Sequence, residues 1–255
     1  MQPALALHGL TKRFGPKVAV DALSLEVPAG SLYGLVGPNG AGKTTTLSMA
    51  TGLLRPDAGT ALVLGHDVWA DPPAAKAAMG VLPDGLRLFD RLTGRELITY
   101  SGRLRGVAEA DLVTRREGLL ENLGLTEDAD KLVVDYSAGM TKKIGLACAL
   151  VHAPRLVILD EPFEAVDPVS GEGIRTILRN YVANGGTVIF SSHVMELVEN
   201  LCDHVAVIGA GTLLAAGTLD EVRAGENLQQ RFLQLVGPSG SSADLSWLTG
   251  GVAPS

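Results

Sequence analysis

The stretch Gly37-Pro38-Asn39-Gly40-Ala41-Gly42-Lys43-Thr44-Thr45 fits the spacing G-x-x-x-x-G-K-[ST]. Residue types in that order can hold a polyphosphate. Glycines let the backbone curl so that successive N–H groups point inward at an anion. A helix predicted from about Gly42 to Leu53 aims its positive end at the same charge. Lys43 is set to reach the β- and γ-phosphates of a nucleotide, and the Thr44 hydroxyl to bind Mg²⁺. Asn39, Gly40, Gly42 and Thr45 complete the cradle. Upstream, Leu32–Val36 is a short apolar run that reads as a buried strand, so the loop has the strand–loop–helix setting it needs.

A second set of residues suits the other half of a hydrolytic site. Four apolar residues, Leu156 to Leu159, end at Asp160-Glu161-Pro162. A carboxylate at a strand end can hold Mg²⁺ directly or through water, which is the place of Asp160. Glu161 is then placed to orient or deprotonate an attacking water, unless the three residues only cap a strand. His193 closes the next strand-like run and can hydrogen-bond a γ-phosphate and that water, or serve the fold alone. Phe14 is the only aromatic residue among the first thirty and is read as lying in a polar loop. It can stack on a purine ring or cap the small sheet.

The elements that must position these residues follow from pattern. Leu5–Leu10 and Val18–Val27 are β-type runs separated by a Gly15-Pro16 turn. A strand is expected over Thr60–Gly65, a short helix over Ala74–Met79 and a strand over Gly80–Leu82. From Thr93 to Tyr136 the periodicity is helical, opened by a capping box at Thr93–Glu96. Further helices are expected at Lys142–Val151, about Val169–Ala183 and Asn227–Val236, with a strand over Thr187–Phe190. Strands that alternate with helices and end in polar residues indicate an α/β fold, a parallel sheet with its site at the strand C-termini. The expected organisation is one domain over residues 1–236, with a core at 1–83 and 154–222 and a helical insertion at about 84–153. Residues 237–255 read as a flexible tail.

The 255 residues are 46% apolar and carry a net charge of −7, which suits a large core and argues against a general nucleic-acid binder. The two cysteines, Cys148 and Cys202, have no metal-site spacing and read as free, covered thiols. No apolar run reaches the length of a membrane span, and the start Met1-Gln2-Pro3 lacks a signal pattern. The expectation is a cytoplasmic protein that meets the inner face of the cell membrane only through a partner.

Taken together, these motifs resemble those of ATP-binding cassette (ABC) transporter ATPase subunits over about residues 4 to 222. The resemblance rests on the phosphate loop, Tyr136-Ser137-Ala138-Gly139-Met140, Leu159-Asp160-Glu161-Pro162, Ala165-Val166-Asp167 and His193, in order and at spacing. It implies a P-loop NTPase fold with a parallel-sheet core, a small antiparallel β subdomain and an inserted α-helical subdomain. It implies ATP and Mg²⁺ as ligands, transmembrane permease subunits as partners, and a homodimer or pseudo-symmetric dimer. In that dimer each ATP lies between one phosphate loop and the partner's Ser-x-Gly, here Ser137 and Gly139, and Asp167 belongs to the loop linking the two sites. The Tyr-Ser-x-Gly-Met form is similar to the bacterial exporter (ABC-2 type) branch, and weakly favours export of a drug, lipid or other small hydrophobic molecule. One departure stands out. The usual Gln after the Gly80–Leu82 strand is Asp84, which can still bind Mg²⁺ but is shorter, charged and cannot donate a hydrogen bond. A second reading is therefore an ATP-dependent dimerising regulatory module with weak hydrolysis. Leu86, Leu88 and Phe89, just after Asp84, are candidates for the membrane-partner surface, or else core residues of the insertion.

Overall fold

Strands β1 (Leu5–Phe14) and β2 (Lys17–Val27) form an antiparallel hairpin across the Gly15-Pro16 turn in the computed structural model, which describes residues 2–85 and 87–237. The predicted tail beyond Gly237, and Leu86, lie outside the described residues. The apolar run Leu32–Val36 is β3, and helix α1 (Lys43–Ala50) follows the glycine-rich loop. Strands β4 (Ala58–Val63) and β5 (His66–Asp67) join the hairpin in an antiparallel sheet of order β2-β1-β4-β5. Helix α2 (Pro72–Ala78) leads to β6 (Met79–Leu82). Three helices come next: α3 (Gly94–Leu104), α4 (Glu109–Asn122) and α5 (Ala138–Leu150).

The chain then returns to the larger sheet through β7 (Leu156–Leu159), α6 (Pro168–Ala183), β8 (Thr187–Ser192), α7 (Met195–Leu201), β9 (His204–Gly209) and β10 (Thr212–Thr218). Helices α8 (Leu219–Arg223) and α9 (Leu228–Val236) close the described chain. The larger sheet has the order β10-β9-β3-β8-β7-β6, parallel except for β10 at its edge. Parallel pairing sends β3, β6, β7 and β8 out at one end of the sheet, so the phosphate loop, Asp84, Asp160-Glu161 and His193 all leave at that end.

Alternation along the strands explains how this sheet is held. In β3, Leu32 and Val36 face one core while Tyr33 and Leu35 face the other. Val157 and Leu159 of β7 face the first core, and Leu156 and Ile158 the second. The first core is completed by Leu97, Ile98, Leu112, Leu120 and Ile144 from α3, α4 and α5. The second is completed by Leu47 and Met49 of α1 and by Leu5, Leu7, Val20 and Val63 of the antiparallel sheet. Strands buried on both faces read as unbroken apolar runs, which is why β3 and β7 are visible in sequence to the residue.

Other boundaries differ from expectation. α1 is shorter than the predicted Gly42–Leu53 run and starts at Lys43, because Gly42 adopts φ 105° and caps it from outside. Phe14 is the last residue of β1, paired with Lys17, and not part of a loop. α5 begins at Ala138, four residues earlier than Lys142, because the Ser137 side chain accepts the Met140 N–H and caps it. Asp167 likewise caps α6 by accepting the Ser170 N–H at 2.9 Å, and so stands at a helix start.

Candidate functional site

A cleft of about 330 Å³ opens at the C-terminal end of β3. Phe14, Asn39, Gly40, Gly42, Lys43, Thr44 and Thr45 line one side, and Asp84, Glu161 and His193 the other. Residues far apart in the chain are thus brought to one place. The loop's shape depends on glycine. A Cβ on Gly42 would stand 2.6 Å from the Ala19 carbonyl oxygen, in a backbone region that disfavours any side chain. No side chain caps α1, so its first-turn N–H groups are left for an anion in the cleft.

Lys43 is 6% exposed. Its ammonium donates to the Gly37 carbonyl at 2.8 Å and lies 3.5 Å from Glu161 Oε1. The other Glu161 oxygen, Oε2, is 3.1 Å from His193 Nδ1. The Glu161 carboxylate is therefore held between two cationic or hydrogen-bonding groups at the mouth of the phosphate loop. Its backbone is also unusual, with φ 47°. The Glu161 N–H donates to Ser191 Oγ at 2.9 Å, and the Ser191 hydroxyl donates to Asp160 Oδ1 at 2.5 Å.

Asp160 is buried beside Thr44, and desolvation pushes its carboxyl above the usual range, partly offset by hydrogen bonds from the Ser191 and Thr44 hydroxyls. A buried carboxylate short of compensating charge, next to a hydroxyl, is a hard-oxygen donor pair suited to Mg²⁺. The residues present fit that ion. Asp84 is half-exposed and turns one oxygen, Oδ1, towards Lys142 Nζ at 3.8 Å.

Phe14 is 51% exposed, with the Lys12 ammonium 5.9 Å from its ring centroid. It lines the cleft and is absent from both buried cores, so its face is open to a flat ligand. Ser137 and Gly139 do not line this cleft. They sit at the start of α5, where a Cβ on Gly139 would stand 3.6 Å from Asp167 Oδ2, on the cap of α6. Hydrogen bonds from Ser170 hold the Asp167 carboxyl below its usual range.

Sequence reasoning missed four residues here. Lys17 and Glu164 line the cleft. Ser191 links Asp160 to Glu161, and the signal for it was a hydroxyl at the end of an apolar strand. Lys142 donates to the Glu161 carbonyl at 3.0 Å, and nothing local in the sequence marks it.

The family model described as ABC transporter matches residues 20–164. The chain is 39% identical over 225 residues to the daunorubicin/doxorubicin resistance ATP-binding protein of Streptomyces peucetius, an alignment covering 88% of this chain and 68% of that one. It is 38% identical over 220 residues to the Nod factor export ATP-binding protein I of Ralstonia nicotianae, covering 86% of this chain and 68% of that one. Among solved structures, an ATP-binding subunit of an ABC transporter superposes with a TM-score of 0.86 at 26% identity, covering 92% of this chain and 100% of that one.

Proposed function

The chain belongs to the ABC transporter family as an ATP-hydrolysing subunit that energises transport through membrane partners, and from that premise we propose how its residues carry out the hydrolysis and in what assembly. The observation that carries the reading is the Glu161 carboxylate standing between Lys43 and His193 at the mouth of the phosphate loop.

ATP enters with its purine on Phe14 and its phosphates in the loop formed by Asn39, Gly40, Gly42 and Thr45. Lys43 exchanges its carbonyl partners for phosphate oxygens, which releases its hold on Glu161. Glu161 then accepts a proton from the attacking water while His193 fixes the carboxylate and the γ-phosphate in line. Positioning of this kind, with fixed donors, supplies most of the catalysis in phosphoryl transfer. Thr44 and Asp160 would hold Mg²⁺, with Asp84 as a further oxygen donor. When bound, Mg²⁺ would supply positive charge against the negative charge that develops on the phosphate oxygens.

Ser137 and Gly139 act on the nucleotide of a second subunit. Their place outside this chain's own cleft, at a capped helix start, supports a head-to-tail dimer. Among the described residues no helix is long and apolar enough to cross a membrane. In this reading the transmembrane path belongs to separate permease subunits, with this chain on the inner face of the membrane. The relative named for Nod factor export favours export as the direction.

The test is steady-state hydrolysis of Mg²⁺-ATP by the wild type and Glu161→Gln, with oligomeric state followed by light scattering. Removing the general base should lower turnover by about 10²–10⁴, leave ATP binding intact and trap an ATP-dependent dimer. Equal turnover of the two proteins would overturn the role given to Glu161.

A further inference from the structure

Lys142 lies in the second turn of α5, five residues past the Ser137 cap, and only 16% of its side chain is exposed. Its ammonium leaves the helix towards the nucleotide cleft. Nζ donates to the Glu161 carbonyl oxygen at 3.0 Å and lies 3.8 Å from Asp84 Oδ1. One cation thereby touches the backbone of the general base and the loop after β6. It does so from the helix that carries Ser137 and Gly139.

Two physical costs meet at this lysine. Glu161 is a non-glycine residue at φ 47°, a conformation that persists only where its surroundings impose it. Its N–H is held by Ser191, and its carbonyl accepts the Lys142 ammonium at 3.0 Å and, at 3.2 Å, the Glu164 N–H, so the residue is pinned at both ends and Lys142 is the shorter and only charged donor to that carbonyl. The second cost is charge. Asp84, Glu161 and Glu164 all line the cleft that receives a polyanion, with Lys43 and Lys17 as its cationic lining. An unpaired carboxylate at Asp84 would repel the phosphates, and the Lys142 ammonium offsets it.

We infer that Lys142 is a positioning residue for hydrolysis, which fixes the backbone of Glu161 and neutralises Asp84 towards the nucleotide. Asp84 and Lys142 then work as a pair. The charge introduced at the loop after β6 is answered from α5, and the helix that faces the second subunit is tied to the base of its own subunit. The inference rests on the hydrolytic role proposed for Glu161.

The experiment uses the full chain with Lys142→Met, Lys142→Arg, Asp84→Asn and the double variant Asp84→Asn/Lys142→Met. ATP hydrolysis gives kcat and KM. Binding of a fluorescent ATP analogue in EDTA reads the chain's own charges without a metal. Thermal unfolding checks the fold. Lys142→Met should lower kcat about 10-fold or more, the scale of losing a supporting hydrogen bond to a charged donor. Its affinity for the analogue in EDTA should fall about 3-fold, the scale of one unneutralised and partly screened charge. Asp84→Asn added to Lys142→Met should restore that affinity and leave kcat low, because the Glu161 carbonyl still lacks its charged donor and keeps only the Glu164 N–H at 3.2 Å. Lys142→Arg should recover most of the lost kcat.

A wild-type kcat in Lys142→Met, or affinity losses in EDTA that add in the double variant, would overturn the inference. If Lys142→Met does not fold, Lys142→Gln takes its place; failure of both to fold assigns Lys142 to stability and also overturns it. Glu161→Gln, run alongside, keeps the two ideas apart. Undiminished turnover there removes the base, whereas a dead Glu161→Gln beside an unaffected Lys142→Met removes only the positioning role.

Discussion

Glycines at Gly42 and Gly139 occupy comparable places, each at the start of a helix, yet the structure gives them different duties. Gly42 is required by its own chain. A Cβ there collides with the Ala19 carbonyl oxygen at 2.6 Å, and φ is 105°. Gly42→Ala should therefore lose ATP binding and unfold at lower temperature. Gly139 has room, since an added Cβ meets Asp167 Oδ2 at 3.6 Å, an ordinary contact, and alanine is the better helix former. Gly139→Ala should keep its unfolding temperature and its ATP affinity as a monomer. It should still lose hydrolysis about 10-fold or more if a second subunit's γ-phosphate must approach that backbone closely, as a lost oxyanion contact does. Calorimetry, nucleotide binding and turnover on the two variants check this, and full turnover in Gly139→Ala would remove the cross-subunit contact. Phosphate-loop chemistry of this kind is legible in sequence because only a few residue types can do it at fixed spacing. Lys142 is not legible, and Ser191 shows only as a hydroxyl at the end of an apolar strand. Ser191 reaches Glu161 from the neighbouring strand β8, 30 positions on, and Lys142 reaches it from helix α5, 19 positions back, so only tertiary packing brings them together.

Helix starts show the same contrast at the scale of the element. The Thr93 cap of α3 was readable, since Thr and Glu three apart before an apolar periodicity form a reciprocal capping box, and both bonds are present. Thr93 also pairs with Leu132, so the cap ties the start of α3 to the segment before Ser137. Thr93→Ala should cost about 1 kcal/mol of stability, seen as a lower denaturant midpoint with an unchanged slope, and should leave ATP binding unaltered. No change in the midpoint would mean that packing of Leu97 and Ile98 alone fixes the helix. α5 starts earlier than local propensity predicts, because Gly139 and Thr141 are weak helix formers and argue for a loop there. Burial of Ile144, Leu146 and Ala147 in the first core overrides propensity and draws the first turn into the helix. The β3 and β7 boundaries had no such conflict, because burial, residue type and length agree.

For the whole molecule, the open question is which surface receives the membrane partner, and the three residues named for it separate. Leu88 packs against the first core and Leu86 lies outside the described residues, whereas Phe89 is 56% exposed. Phe89 stands edge-on to Tyr100 of α3, ring centroids 5.3 Å apart, and Tyr100 is itself 42% exposed. Exposed Leu132 and Val134 run alongside, joined to the same loop by the Val133 N–H to the Leu92 carbonyl and the Val134 N–H to the Asp90 carbonyl. A grouped apolar surface is the usual mark of a docking site, and this one begins five residues after Asp84, on the loop that lines the nucleotide cleft. A partner bound there would feel the state of that loop directly. Because Phe89 is outside both cores, truncating it should cost under about 1 kcal/mol of stability, the range of a surface substitution. Phe89→Ala should keep its unfolding temperature and ATP affinity, yet bind less to membranes that contain the transmembrane partner, by several-fold in a sedimentation assay. Undiminished sedimentation, with Tyr100→Ala behaving likewise, would move the docking surface away from this edge of the insertion.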